Sequence, residues 1–535
     1  MAADEETPLL GETAAQQYNA DDVQNGQEGS QETPAQEPKS PPILMVIMPM
    51  MLSIFLVAMD VTIVTSTYAH IGSQFERLES TSWITTGYML TVTSFQPLYG
   101  KLSDIFGRKP CLLFSIFVFA LGCFLCGIAR DMTMLIFGRA IAGIGGGGIS
   151  IVTNVIMSDV VPLRDRGSWQ GFGNVVWASG QALGAPLGGI LTETVGWRWG
   201  FLLQVPLSFL AMVVFSLGFK TSKTSSSDFS AKLKRIDFGG AATLIVAVFA
   251  LLLGLDRGGN IAWSDSLTIA YLVIFAVFTC AFCYTEWRLA KEPFVPLAIL
   301  TERTLLAANG VAFFTGATVA ILFLVAMYLQ AVQGLDPASV GSILIPAVVG
   351  GASGSVVSGF IIRASGRYYA LAAILFVFYV FGMVSVVCVS GLWTFSLIAL
   401  STAMVVMNVG GWGGSTAAIV ALVSTAGPEN QAVAIAVFGL FRSLGSVVIL
   451  SVATALFQQT LRIKLYARLS GDGVDEIIKH VRESLDYIKE LDPASRTAVV
   501  RSYGDGLQIG MWFTAAMAMG PLLSALFIKE KAMSR

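Results

Sequence analysis

The stretch ILMVIMPMMLSIFLVAMDVTIVTSTY, Ile43 to Tyr68, decides the fold class. A membrane-spanning helix needs about 20 mostly apolar residues, and this run supplies them with one charged side chain, Asp60. It is far longer than the roughly ten-residue strands of a transmembrane barrel and lacks their period-two alternation. At ~1.5 Å per helical residue, Asp60 lies about 23 Å from the start of its helix, deeper than so short a side chain can reach back to water. A carboxylate at that depth is costly and marks a functional site by default; the bland alternative is a helix-packing Asp bonded to a neighbour.

Working outward, the pattern repeats. The 535-residue chain is 54% hydrophobic and 13% charged, with a mean hydropathy of +0.70, more apolar surface than a soluble protein of this size could cover. Fourteen apolar segments centre near Ile54, Leu90, Phe119, Gly145, Ser179, Leu210, Leu244, Val277, Ala317, Val349, Val380, Val409, Ser443 and Ala516. In a bilayer every backbone polar group must be satisfied within the segment, so these predict an all-α, polytopic membrane protein. With the amino terminus in the cytoplasm, cytoplasmic loops and the carboxyl tail hold eighteen Lys and Arg, against Arg77, Arg130, Arg198 and Arg257 in the short opposite loops. That bias fixes the expected orientation. Of 33 basic residues only Arg139 and Arg442 fall inside spans.

Residues 1–41, rich in Gln, Glu, Ala and Pro, cannot bury enough apolar surface to fold and read as a disordered cytoplasmic tail. The tail lacks the positive start of a cleaved signal peptide. Within it EETPLL, with Glu5, Leu9 and Leu10, matches the acidic dileucine pattern read by sorting adaptors bound for vacuole or lysosome. The six cysteines all lie in apolar helix and read as small packing residues, and the two histidines sit elsewhere, so no metal site is expected. No P-loop, zinc constellation or nucleophile motif appears, so neither an enzyme nor a cofactor is implied. The expected partners are a small-molecule substrate, protons and membrane lipid, without nucleic acid.

The loop GKLSDIFGRKP, Gly100 to Pro110, resembles the signature loop of the major facilitator superfamily. In that family Gly100 and Gly107 would permit a tight turn, Asp104 would accept hydrogen bonds at a helix end, and Arg108 and Lys109 would anchor to the cytoplasmic face. GFIIRASGRY, Gly359 to Tyr368, repeats Gly100, Gly107 and Arg108 as Gly359, Gly366 and Arg367 with the same spacing. Such an internal repeat is what two related halves leave behind. Arg363 stands where the first copy has Asp104, so the loop's charge logic is not expected to be duplicated.

Three more stretches narrow the branch. RAIAGIGGGG, Arg139 to Gly148, is similar to the family's fourth-helix motif, with Ala142 in place of a Gln that would orient Arg139. GQALGAPLGG resembles the antiporter motif of proton-driven exporters, with Gly180, Gly184, Pro186 and Gly189 in place and Ala185 replacing a glycine. Pro186 should bend its helix by deleting a backbone bond. MDVTIV, Met59 to Val64, resembles the first-helix motif of the fourteen-helix drug:proton antiporter branch. SWITTGYMLTVTSFQPLYGKLSDIFGRK, SDVVPLRDRG and GWRWGFLLQVP look most like the fungal vacuolar basic amino-acid transporters.

The resemblance implies a major facilitator fold with 14 transmembrane helices. Two six-helix halves, 42–220 and 304–535, would flank a linker and two inserted helices at 221–303. It implies proton-coupled exchange of lysine, arginine or histidine into the vacuole by alternating access; the alternative is a multidrug or toxin exporter, and the alternative location is the plasma membrane. The first and fourth helices line the cavity in facilitator folds, so Asp60 and Arg139, at similar depth, could meet and hold either a proton or a cationic substrate. Asp159 reads as a gate or anchor with Arg164 or Arg166 as partner. Arg442 could bind a substrate carboxylate or pair with backbone carbonyls. Gln330, Asn408, Asn309, Trp177, Gln181 and Tyr328 lie on spans that could face the cavity, though each is more often a helix–helix hydrogen bond. The lumenal segment 458–506 contains VDEIIKHVRESLDYIKEL, Val474 to Leu491, whose apolar spacing predicts an amphipathic helix covering the exit.

Overall fold

The computed structural model describes residues 43–75, 81–219, 237–260, 263–289, 301–335, 337–391, 395–469, 477, 478, 481 and 487–531. The tail with Glu5, Leu9 and Leu10, and residues 220–236 of the linker, lie outside them. Among the described residues every regular element is helical. The first six helices are α1 Ile43–Gln74, α2 Ser82–Phe106, α3 Arg108–Gly127, α4 Met132–Val160, α5 Arg166–Thr194 and α6 Arg198–Gly218, the last broken at Leu203. Next come α7 Phe238–Asn260 and α8 Ser266–Tyr284. The rest are α9 Arg303–Ala331, α10 Pro337–Ser365, α11 Tyr369–Gly391, α12 Leu397–Gly427, α13 Glu429–Arg468 and α14 Pro493–Ala525.

Twelve of these are long and apolar enough to cross a membrane. The two at the remaining predicted positions are α2 and α5, of 25 and 29 residues, which carry more polar and glycine positions. Their composition follows from where they sit, because both pack against other helices along much of their length.

Loop residues set the helix starts. Asp131 caps α4 by accepting from the Met134 amide at 2.8 Å, Glu302 caps α9 from Leu305 at 2.7 Å, and Asp492 caps α14 beside Pro493. Asp265 caps α8 and also receives Arg257, whose guanidinium holds its carboxyl below the usual range. The repeated loops turn at Gly107 and Gly366, with φ of +95° and +70°, a conformation L side chains rarely adopt.

Helices α1 to α6 pack around one apolar core and α9 to α14 around another. Lipid is as apolar as leucine, so close backbone approach rather than burial drives such packing. The AGIGGGGI run provides it: a Cβ on Gly122 would lie 2.2 Å from the Ala142 nitrogen, and one on Gly145 would lie 2.3 Å from that of Phe119. Cys111, Cys123 and Cys126 are buried in this group, as packing residues should be, whereas Cys280 and Cys283 are exposed on α8. Helix α7 lies on the seam between the two groups, with Val248 and Leu252 buried against Leu90 of α2 and Leu440 of α13. Helix α8 packs on α7 and leaves most of its surface exposed. Of the predicted amphipathic helix, Ile478, Val481 and Ile488 are described and buried beside Phe457 and Leu461 of α13, and Tyr503 of α14 donates to the Val481 carbonyl at 2.7 Å.

Candidate functional site

The first apolar run delivers its carboxylate into the centre of the α1–α6 group. Asp60 accepts from Arg139 Nη1 at 2.6 Å, and the two side chains are 0% and 1% exposed. Arg139 also donates from Nε to the Ile84 carbonyl at 3.2 Å, and its guanidinium lies 4.3 Å over the Tyr88 ring and 5.7 Å from that of Phe201. The second Asp60 oxygen accepts from Gln204 Nε2 at 3.3 Å. With Ala142 in place of the motif glutamine, the amide in the cage comes from α6, at the end of the GWRWGFLLQ run, and it bonds Asp60 rather than Arg139. Sequence reasoning quoted that run but missed Gln204; the available signal was one buried amide in an otherwise apolar segment.

A buried ion pair survives in low dielectric only when its remaining donors and acceptors are also met. Here four helices supply that cage: α1, α2, α4 and α6. Two atoms stay unmet among the described residues, Tyr88 Oη and Gln204 Oε1. In this conformation Asp60 is closed to solvent and already occupied, so no cargo can reach it without a rearrangement.

A second cluster sits where the Lys- and Arg-rich loops gather, here called the basic end. Arg108 is held by Asp104 and donates from Nε to Asp159 at 2.8 Å, while Gln431 of α13 donates to the other Asp159 oxygen at 2.8 Å. The predicted partners of Asp159 are therefore corrected. Arg164 instead donates to the Arg363 carbonyl at 2.6 Å and Arg166 to the Val161 carbonyl at 3.1 Å. Lys109 caps α6, donating to the Ser216 and Phe219 carbonyls at 2.7 Å each. The second loop copy does form a charge pair, with reversed sign and across the groups: Arg363 meets Asp165 at 2.7 Å.

The repeat glycines mark close crossings between the groups. A Cβ on Gly100 would fall 2.5 Å from Cβ of Ala436 on α13, and one on Gly359 would fall 2.3 Å from the backbone of Gly167 on α5. Nearby, Asn174 donates to Ser355 at 2.7 Å and Ser443 to Gln96 at 3.2 Å. All of these junctions lie between mid-helix and the basic end, so that end is closed. In the antiporter motif, Gly180 and Gly184 seat α5 on the α1 backbone at Phe55 and Met59, Gly189 has open space, and Pro186 sits inside an α5 that remains one helix.

Arg442 is on α13 and exposed, and no hydrogen bond or ion pair reaches its guanidinium among the described residues. Asn408 is 2% exposed and donates to the Met404 carbonyl of its own helix at 2.9 Å, and Gln330 is half-buried near the end of α9. Asn309 is fully buried with both amide atoms unmet among the described residues. Tyr328 accepts from Gln333 at 3.0 Å, and Trp177 and Gln181 are half-buried on α5. An open cleft of about 840 Å³ at the end opposite the basic loops is lined by Gln74, Phe75, Arg130 and Phe137 among others and contains none of the predicted site residues.

A membrane-embedded helical bundle with a repeated signature loop, a buried ion pair and a closed basic end defines a facilitator-type carrier. The sequence profile of the Major Facilitator Superfamily matches residues 50–450, and the chain belongs to that family of membrane transporters. It is 34% identical over 493 residues to the vacuolar membrane amino acid uptake transporter fnx2 of Schizosaccharomyces pombe, covering 90% of this chain and 83% of that one. It is also 34% identical to the multidrug resistance protein fnx1 of the same yeast, covering 89% and 90%. Multidrug resistance protein 3 of Bacillus subtilis is 35% identical over 62% of this chain and 64% of its own. Among solved structures, the proton:xylose symporter XylE superposes with a TM-score of 0.57 at 14% identity, covering 91% and 94%. The human organic anion transporter MFSD10 gives 0.58 at 12%, covering 91% and 100%. These likenesses carry the fold.

Proposed function

We propose that this carrier exchanges protons for basic amino acids, moving lysine, arginine or histidine from cytosol into an acidic vacuole by alternating access. Residues 42–220 and 304–535 are the moving bodies and the basic end faces the cytoplasm. The observation that carries the reading is the sealed Asp60–Arg139 pair. Protonating Asp60 would leave Arg139 a buried, uncompensated cation, at a cost of several kcal/mol. A structure holding that charge must rearrange, which links the proton to the opening of the carrier. Coupling then runs through the state of the ion pair, with cargo and proton excluding one another by conformation. The unmet Tyr88 hydroxyl and Gln204 oxygen are ready partners for the rearranged groups. Each pH unit across the membrane supplies about 1.4 kcal/mol per proton, so two units support roughly 100-fold accumulation.

The name of the fnx2 relative supports the amino-acid cargo and the vacuolar membrane, while those of fnx1 and the Bacillus protein support multidrug export as the second reading. Reconstituted vesicles with an acid interior decide between them. Accumulation of labelled lysine, arginine or histidine is expected, and proton-driven movement of a hydrophobic dye with no amino-acid uptake would overturn the cargo assignment.

A further inference from the structure

We propose that Arg442 is the carboxylate-binding residue of the central passage, so that cargo is recognised by a free α-carboxylate. The proposal deepens the amino-acid reading above and rests on it for the identity of the cargo. Three observations converge. First, position: Arg442 is 13 residues from Glu429, about 20 Å along α13, well inside a core about 30 Å thick. Second, direction: on α13 Gln431 reaches across to Asp159 of α4, and Ile435 lines a narrow pocket between the groups with Asn154, Arg166 and Gln170. Arg442 follows Ile435 by seven residues, two helical turns, and so continues that face away from the closed end. The flanking faces of α13 are taken, Ser443 by Gln96 of α2, Gly445 by Phe313 of α9, and Leu440 and Leu444 by α7.

Third, chemistry: Arg442 is exposed, and no carboxylate of the described chain meets its guanidinium. A cation at mid-membrane without a partner is expensive, and intramembrane charges line cavities and meet ligands for that reason. A guanidinium is a planar fork matched to a carboxylate, which it binds in a bidentate manner. Every α-amino acid offers that group, and the amphipathic cations taken by multidrug carriers do not need one.

The test uses the full-length protein in vesicles with an acid interior. Unlabelled lysine, lysine methyl ester and cadaverine compete with labelled lysine, for wild type, Arg442→Gln and Arg442→Lys. The ester and the diamine keep the cationic ends and lack the carboxylate. Lysine is expected to compete at least tenfold better than either analogue in wild type. In Arg442→Gln the apparent KM for lysine should rise tenfold or more and the preference for acid over ester should vanish, with Arg442→Lys in between. Equal competition by acid and ester in wild type, or an unchanged preference in Arg442→Gln, overturns the proposal. A parallel readout needs no transport: thermal stabilisation of the purified protein by glycine or lysine but not by their methyl esters, lost in Arg442→Gln. No difference between acids and esters there also overturns it, whereas absent uptake with the acid preference intact overturns the coupling reading and leaves Arg442 assigned.

Discussion

Arg139 and Arg442, the two arginines expected inside the spans, are treated by the chain in opposite ways. Arg139 receives a carboxylate from α1 and a backbone carbonyl and an aromatic face from α2, and solvent does not touch it. Arg442 receives nothing from the described chain and stands exposed. The contrast sets a charge neutralised inside the protein beside one that meets no counter-charge among the described residues, and the two roles proposed above rest on that difference.

The sharpest way to break the comparison is Asp60→Asn. It removes the counter-charge and should abolish proton-driven uptake while destabilising the protein by about 3–5 kcal/mol, read as a fall in melting temperature. Adding Arg139→Gln should restore much of the stability with no return of transport, since two neutral amides can share the site; recovery of transport would remove the pair from coupling. By contrast, Arg442→Gln should leave the melting temperature unchanged or higher, because it deletes a charge with no partner to orphan. Next in size is Gly359→Val, whose side chain would collide with the Gly167 backbone. It should hold the basic end open, measured as increased thiol labelling of a cysteine placed at Ser355. Gln204→Leu removes one hydrogen bond to Asp60 and should cost about 1–3 kcal/mol while shifting the pH midpoint of uptake. The smallest effect is expected at Arg363→Ala, where a largely exposed pair is worth about 0–1 kcal/mol and only the balance between open and closed basic ends should move.

Much of this was legible in the chain because membrane helices advertise themselves by length and apolar content. The meeting of Asp60 with Arg139 followed from their similar depth together with the family resemblance that places the first and fourth helices side by side on the cavity. Gln204 was not legible: an amide in an apolar run looks the same whether it bonds its own helix or a carboxylate on a neighbouring one, and here it does both, giving one bond to the Gly200 carbonyl. The partner of Asp159 was misjudged for a related reason. Nearness in sequence favoured Arg164 and Arg166, while the turn at Gly107 carries Arg108 beneath the end of α4. Arg363 was expected to leave the loop's charge pattern unduplicated, and its acid comes from the opposite group, a contact that only the α5–α10 crossing reveals.

The position of α7 has a consequence for how such an architecture could have arisen or be pared back. Because Val248 and Leu252 pack where α2 meets α13, excising residues 237–289 would uncover Leu90 and Leu440 on both sides of that joint. A twelve-helix version would need compensating changes on each flank before it could cycle. What looks in the sequence like an insert between two repeats is a packing surface shared by both groups.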